Sequence, residues 1–123
     1  MLPLKYRLKK KKDIDRVFKE GKGIKEDFLF LKFTSNNLGN SRFAVIVSRK
    51  ISKRATIRNK IKRKIRAVIS QKLPKIKKGK DCVLIALPGL VSRDFFEIEE
   101  ATKKLFEKTK LTHDADKTNS RDN

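Results

Sequence analysis

Between Ser52 and Arg66 the chain reads SKRATIRNKIKRKIR, a spacing that sets cations where they could grip phosphate. On a helix, Asn59, Lys62, Arg63 and Arg66 share one side, with Arg58, Lys60 and Lys64 on its flanks. Lysine offers a point charge, and arginine a planar fork that binds phosphate through two bonds. Asparagine adds donors and an acceptor for a base or a 2′-hydroxyl. Arg49, Lys50, Lys53 and Arg54 extend the cationic stretch on its N-terminal side. No acidic residue stands between Asp27 and Asp81, so nothing nearby in sequence relieves the repulsion. A charge run is usually a solvated face, but acid-free density on this scale favours a polyanionic partner.

Other chemistries find no support. His113 stands alone in a polar tail, and Cys82 lies in an apolar run that suits a small core residue. The acids form no metal-ligand spacing, and neither phosphate-binding glycine motif, GxxxxGK[ST] or GxGxxG, is present. Gly21-Lys22-Gly23 reads as a turn. Side chains here do not assemble a hydrolytic site. Most phenylalanines are core by default. For Phe18 and Phe30, core packing and stacking of single-stranded bases, worth about 1–3 kcal/mol per base, are evenly balanced.

The elements that would carry these residues follow from periodicity. Ile57, Ile61, Ile65 and Val68 form an apolar stripe behind the cationic face, which predicts a basic helix from 53 or 54 to 71. Residues 1–12 form a basic arm, extended at Pro3 and mobile. A short helix follows, capped by Asp13, with Ile14, Val17 and Phe18 as its apolar side and Gly21 as its end. Residues 28–34 and 42–49 read as strands, joined through the turn-rich 36–40 into an antiparallel hairpin. Residues 75–80 read as a solvated loop, and 81–87 as a central strand closed by Pro88-Gly89. A last helix spans 94–110 with an Asp94/Glu97 capping box and buries Phe95, Ile98, Ala101, Thr102, Leu105 and Phe106. Residues 112–123 are polar and expected to be disordered. The class is α+β: a two-layer α/β sandwich on a mixed sheet, one domain over 1–111.

Composition agrees. The 123 residues carry 34 Lys+Arg against 14 Asp+Glu, a net charge of +20, which points to nucleic acid or an anionic membrane surface. No apolar run is long enough to span a bilayer, and the basic start has no apolar segment of signal-peptide length. With one cysteine there is no intrachain disulfide framework. A cytoplasmic location is expected.

RLKKKKDIDRVFKEG, RFAVIVSRKISKRATIRNKIKRKIR and DCVLIALP together resemble the protein subunit of bacterial ribonuclease P. The resemblance runs roughly from residue 6 to 111. Its most specific part is that family's Arg-Asn-Arg motif followed by Ile/Leu-Lys-Arg, standing here as Arg58-Asn59-Lys60-Ile61-Lys62-Arg63. Lys60 replaces an arginine, keeping charge and losing the fork. The resemblance implies an αβββαβα order with a left-handed parallel crossover, although about 98% of crossovers are right-handed.

It also implies that a catalytic RNA subunit, using Mg2+, hydrolyses precursor tRNA to release the 5′ leader. The protein would bind that RNA and the leader, with no cofactor of its own, no membrane and no required protein partner. Carried over by position, Arg58, Asn59, Lys60, Lys62, Arg63 and Arg66 contact RNA. Ile14, Phe18, Phe30, Lys32, Ile46 and Ser48 line the leader cleft. Ile14 stands where the family usually has an aromatic, and Lys32 where it is often aromatic or apolar. The cleft should therefore depend more on charge and be more salt-sensitive. A ribosomal type of RNA-binding protein fits the same charge and would differ in its co-purifying RNA. A membrane-surface helix is disfavoured, because Ile57, Ile61 and Ile65 suit packing on a sheet.

Overall fold

The computed structural model describes residues 2–111. Its elements in chain order are α1 (Lys11–Glu20), β1 (Lys22–Glu26), β2 (Leu29–Ser35) and β3 (Arg42–Ile46), then α2 (Ala55–Lys72), β4 (Lys80–Ala86) and α3 (Phe95–Lys108). The near-continuous apolar run of β4 takes the interior of a four-stranded sheet in the order β1-β2-β4-β3. β4 pairs antiparallel with β2, which sets Ile85 opposite Phe30. It pairs parallel with β3, which sets Ile85 beside Ile46. Parallel strands need a long crossover, and α2 is that crossover.

This overturns the expected hairpin between residues 28–34 and 42–49, because β4 inserts between β2 and β3. Residues 36–40 do reverse the chain: Leu38 N donates to Asn36 Oδ1 at 2.8 Å, and Asn36 Nδ2 donates to Asn40 O at 3.3 Å. Asn36 N meanwhile donates to Gly79 O at 2.8 Å, on the approach to β4. The hairpin that forms joins β1 to β2 through Asp27 and Phe28, with Asp27 at φ +51°. Gly21-Lys22-Gly23 is therefore no turn. Gly21 closes α1 by donating to Val17 O at 2.8 Å, and Lys22 and Gly23 already belong to β1. A Cβ on Gly21 would lie 2.4 Å from Val17 O and 2.7 Å from Phe33 O, so only glycine lets the helix end lie so close to the sheet.

Two further expectations change. Lys10, not Asp13, precedes α1, and Asp13 lies inside the first turn facing Arg42. The arm is docked: Leu2 and Leu8 are buried, Leu8 N donates to Phe43 O at 2.8 Å, and Arg7 bridges Phe43 in parallel. Pro3 is extended as expected, and Lys11 and Lys12 belong to α1. The expected disordered tail, with His113, lies outside the described residues.

The sheet has two unequal faces. On one, Leu29, Leu31, Phe43, Val45, Cys82 and Leu84 pack against Ile61, Ile65 and Ile69 of α2 and Ile98, Leu105 and Phe106 of α3. On the other, Val83 with Ala44, Ile46 and Ile85 meets Val17 and Ile14 of α1 and Leu8 of the arm. α1 has ten residues, about 15 Å of helix, so it covers this second face only in part. α3 opens on the expected capping box: Glu97 N donates to Asp94 Oδ1 at 2.8 Å, and Asp94 N to Glu97 Oε1 at 3.1 Å. Phe95 at its start stays half-buried, whereas Ile98, Ala101, Thr102, Leu105 and Phe106 are buried.

Candidate nucleic-acid interface

α2 is fixed from behind. Ile61, Ile65, Val68 and Ile69 are buried and Ile57 is half-buried, each fully buried side chain contributing about 1.5–3 kcal/mol of apolar burial. The opposite side displays Asn59, Lys60 and Arg63 fully, with Lys62, Lys64 and Arg66 half-buried. Among the described residues, no ion pair engages any residue of α2 or of the 47–54 segment before it. Its first turn has no acid, and Arg54 caps it without a side-chain bond. Cations at a helix N-terminus oppose the macrodipole, at about 0.3–1 kcal/mol each. Burial, and then the charge of Arg7, pull the Arg66 guanidinium below its ordinary value. An anion placed on this face relieves all of these costs.

The segment leading into α2 is folded on itself. Ile51 N donates to Ser48 O at 3.0 Å, Lys50 N to Ser48 Oγ at 3.3 Å, and Arg54 N to Ser52 Oγ at 3.2 Å. Arg58 Nη1 reaches back to the carbonyls of Ser52 and Lys53, both at 3.0 Å. Arg49, Lys50, Lys53 and Arg54 are thereby displayed, all four exposed.

The expected cleft residues lie on the sheet face that α1 covers in part. Strand register sets Phe30, Ile85 and Ile46 in one row, and Lys32, Val83 and Ala44 in the next. α1 brings Ile14, Val17 and Phe18 to this face. Lys32 Nζ donates to Phe18 O at 3.1 Å and stands 5.9 Å from the Phe18 ring centre. The Phe30 ring lies across Gly23 of β1, where a Cβ would come within 2.6 Å of it. The structure thus gathers Ile14, Phe18, Phe30, Lys32 and Ile46. Ser48 follows the end of β3 and is exposed at the start of the cationic segment, where no contact with the other five is seen. Phe18 is 38% exposed and Phe30 half-buried, whereas Phe28, Phe43 and Phe106 belong to the core.

Sequence reasoning missed what anchors α1. Asp81 is fully buried and accepts from Arg42 Nε at 2.9 Å and Nη2 at 2.8 Å, Arg16 Nη2 at 2.9 Å and Asn36 Nδ2 at 2.7 Å. Arg16 also donates to Ser35 O at 3.1 Å, and Arg42 stands 3.5 Å from Asp13. Burial pushes the Asp81 carboxyl up. The bonds from Arg42 and Asn36, the Arg42 charge and the bond from Arg16 outweigh it and hold the carboxyl below its ordinary value. The hydrogen bond to Asp81 raises Arg42 in turn. An acid at the mouth of a central apolar strand was the available signal, since a buried charge requires partners.

Self-contained chemistry stays absent from these groups. Cys82 is buried in the core, and burial followed by the Asp81 charge pushes its thiol up, away from the reactive thiolate. Among the described residues no three His, Cys, Asp or Glu side chains group to hold a metal ion. None of the described helices is long and apolar enough to cross a membrane.

A mixed-sheet α+β domain, with a cationic helix that meets no ion pair among the described residues, fits an RNA-binding class of protein. The family model for ribonuclease P matches residues 2–110, and the chain belongs to that family, the protein component of a tRNA-processing ribonucleoprotein. The ribonuclease P protein component of Synechocystis sp. is 38% identical over 106 residues, covering 85% of this chain and 86% of its relative. That of Thermotoga maritima is 34% identical over 106 residues, covering 83% and 90%. Among solved structures, the Staphylococcus aureus RNase P protein superimposes with a TM-score of 0.81 at 27% identity, over 88% of this chain and 98% of that one. The Thermotoga maritima protein gives a TM-score of 0.76 at 32% identity, over 83% and 96%. Both share the α+β fold.

Proposed function

We propose that this chain seats on a catalytic RNA through α2 and the 48–54 segment, and holds the 5′ leader of precursor tRNA in the cleft beneath α1. The observation that carries the reading is the uncompensated charge of α2. Its cations meet no ion pair among the described residues, and the 48–54 segment that leads into it follows directly from β3, whose Ile46 lies on the α1 face with Ile14. Arg49, Lys50, Lys53, Arg54, Lys60, Lys62, Arg63 and Arg66 would meet RNA phosphates. Asn59 is suited to a base or 2′-hydroxyl. Phe18 and Phe30 would stack leader bases while Lys32 neutralises a phosphate between them.

Hydrolysis of the phosphodiester belongs in this reading to the RNA and its bound magnesium. The protein supplies affinity and position, which lower the magnesium the reaction needs. The test is cleavage of precursor tRNA by a bacterial catalytic RNA at low magnesium, with and without this protein. The protein should raise both cleavage and substrate affinity. No gain in either would overturn the proposal.

A further inference from the structure

We infer that Arg58 serves RNA binding as a positioning residue, through the segment it holds, and not as a phosphate contact of its own. The inference rests on the proposed RNA interface and divides the labour within it. One nitrogen of Arg58, Nη1, carries two hydrogens, and its two acceptors are the carbonyls of Ser52 and Lys53 at 3.0 Å each. Arg58 is half-buried, whereas its neighbours Asn59 and Lys60 stand fully exposed.

The segment it holds needs holding. Arg49, Lys50, Lys53 and Arg54 crowd four cations into six positions, all exposed, and they repel one another in the free protein. The hydroxyls of Ser48 and Ser52 and the bond from Ile51 N to Ser48 O fold this segment, and Arg58 ties it to the first turn of α2. A loop held in its bound shape avoids the ordering cost of binding, so loss of the tie should weaken RNA binding through those four cations. The long side chain brings one planar nitrogen with two hydrogens between the adjacent carbonyls, one bond to each.

A double-mutant cycle on the full chain, with a bacterial ribonuclease P RNA transcript as probe and NaCl titrated, separates the two roles. One background is native. The other carries Arg49→Gln, Lys50→Gln, Lys53→Gln and Arg54→Gln together. Arg58→Ala should weaken binding by about tenfold in the native chain and less than about twofold in the loop-neutral chain, because the two changes act on one interaction. In the loop-neutral chain, Arg58→Ala should leave the slope of log K against log salt unchanged.

A direct phosphate contact would instead give equal losses in both backgrounds and reduce the slope by about 0.9 in each, which would overturn the inference. A loop-neutral chain that binds as tightly as the native one would remove the 48–54 segment from the interface, and the inference with it, while leaving the α2 face to its own test. Amide hydrogen exchange of the free protein provides a readout without RNA. Arg58→Ala should speed exchange at Ile51 and Arg54, Arg63→Ala should not, and unchanged exchange in Arg58→Ala would also overturn the inference.

Discussion

Two groups of cations lie on opposite faces of this sheet, and they differ in what they meet. On the α1 face, Arg16 and Arg42 converge on the buried carboxylate of Asp81, with every bond between 2.8 and 2.9 Å. On the α2 face, Lys60, Lys62, Arg63 and Arg66 meet no acid among the described residues. Residue type does not separate the groups, since both contain arginine on a helix. Compensation does. Paired to a buried acid, the half-buried Arg16 and Arg42 fasten α1 to the sheet, and removing that acid would leave both without their partner. Without an ion pair among the described residues, the α2 cations repel one another in the free protein, a cost that a bound polyanion would offset. The first group is architecture, and the second is the face proposed to meet RNA.

The largest expected effect breaks the first group. Asp81→Ala should destabilise the fold by about 3–5 kcal/mol, read as a fall in urea midpoint, because Arg42 and Arg16 lose their shared acceptor. The same pairing sets a pH dependence. The folded Asp81 carboxyl lies below its ordinary value, so its contribution is complete at neutral pH and is lost as pH falls through the folded value. Stability to urea should drop steeply in acid, from the ordinary carboxylate range near about pH 4 downward, and Asp81→Asn should flatten that drop. An unchanged acid limb would remove Asp81 from the account.

A smaller effect belongs to the proposed leader path on the sheet face that α1 covers in part. Phe18→Ala should weaken binding of precursor tRNA by about 1–3 kcal/mol while leaving mature tRNA, which lacks a leader, unaffected. Equal losses on both would place Phe18 outside the leader path. The smallest effect sharpens the second group. Raising NaCl in the absence of RNA should increase the melting temperature by a few degrees, because screening relieves repulsion across α2. The gain should shrink when Lys60 and Arg63 are neutralised together.

Helix α2 was legible because one stretch carried two signals at one period, isoleucines behind and cations in front. The capping box at Asp94 and Glu97 and the central place of β4 were equally plain. Strand partners were not. The residues 36–40 announce a reversal but carry no record of what fills the space between the strands they join. β4 arrives there from forty residues further along the chain, and only tertiary packing decides that. β1 escaped because Ile24 is the lone apolar residue in Lys22–Glu26, as suits an edge strand guarded by lysines. The arm looked mobile because Lys5, Arg7 and the lysines at 9–12 dominate its composition and mask Leu2 and Leu8, the residues that dock it. For the site, the cleft residues came from the resemblance, and the register of three strands shows why they meet. The sequence concealed that Arg58 has a different partner from its neighbours, since hydrogen bonds to carbonyls leave no pattern of residue types.

The unpaired cations of α2 bear the central claim, and the salt dependence of RNA affinity tests it most directly. Binding of the full chain to a bacterial ribonuclease P RNA would be titrated with NaCl, native against Lys60→Gln with Arg63→Gln. Both side chains are exposed and free of ion pairs among the described residues, so the fold should be unaffected. If each meets one phosphate, the slope of log K against log salt should become shallower by about 0.9 per residue removed. An unchanged slope would contradict the account, because α2 would then not be the face that meets RNA.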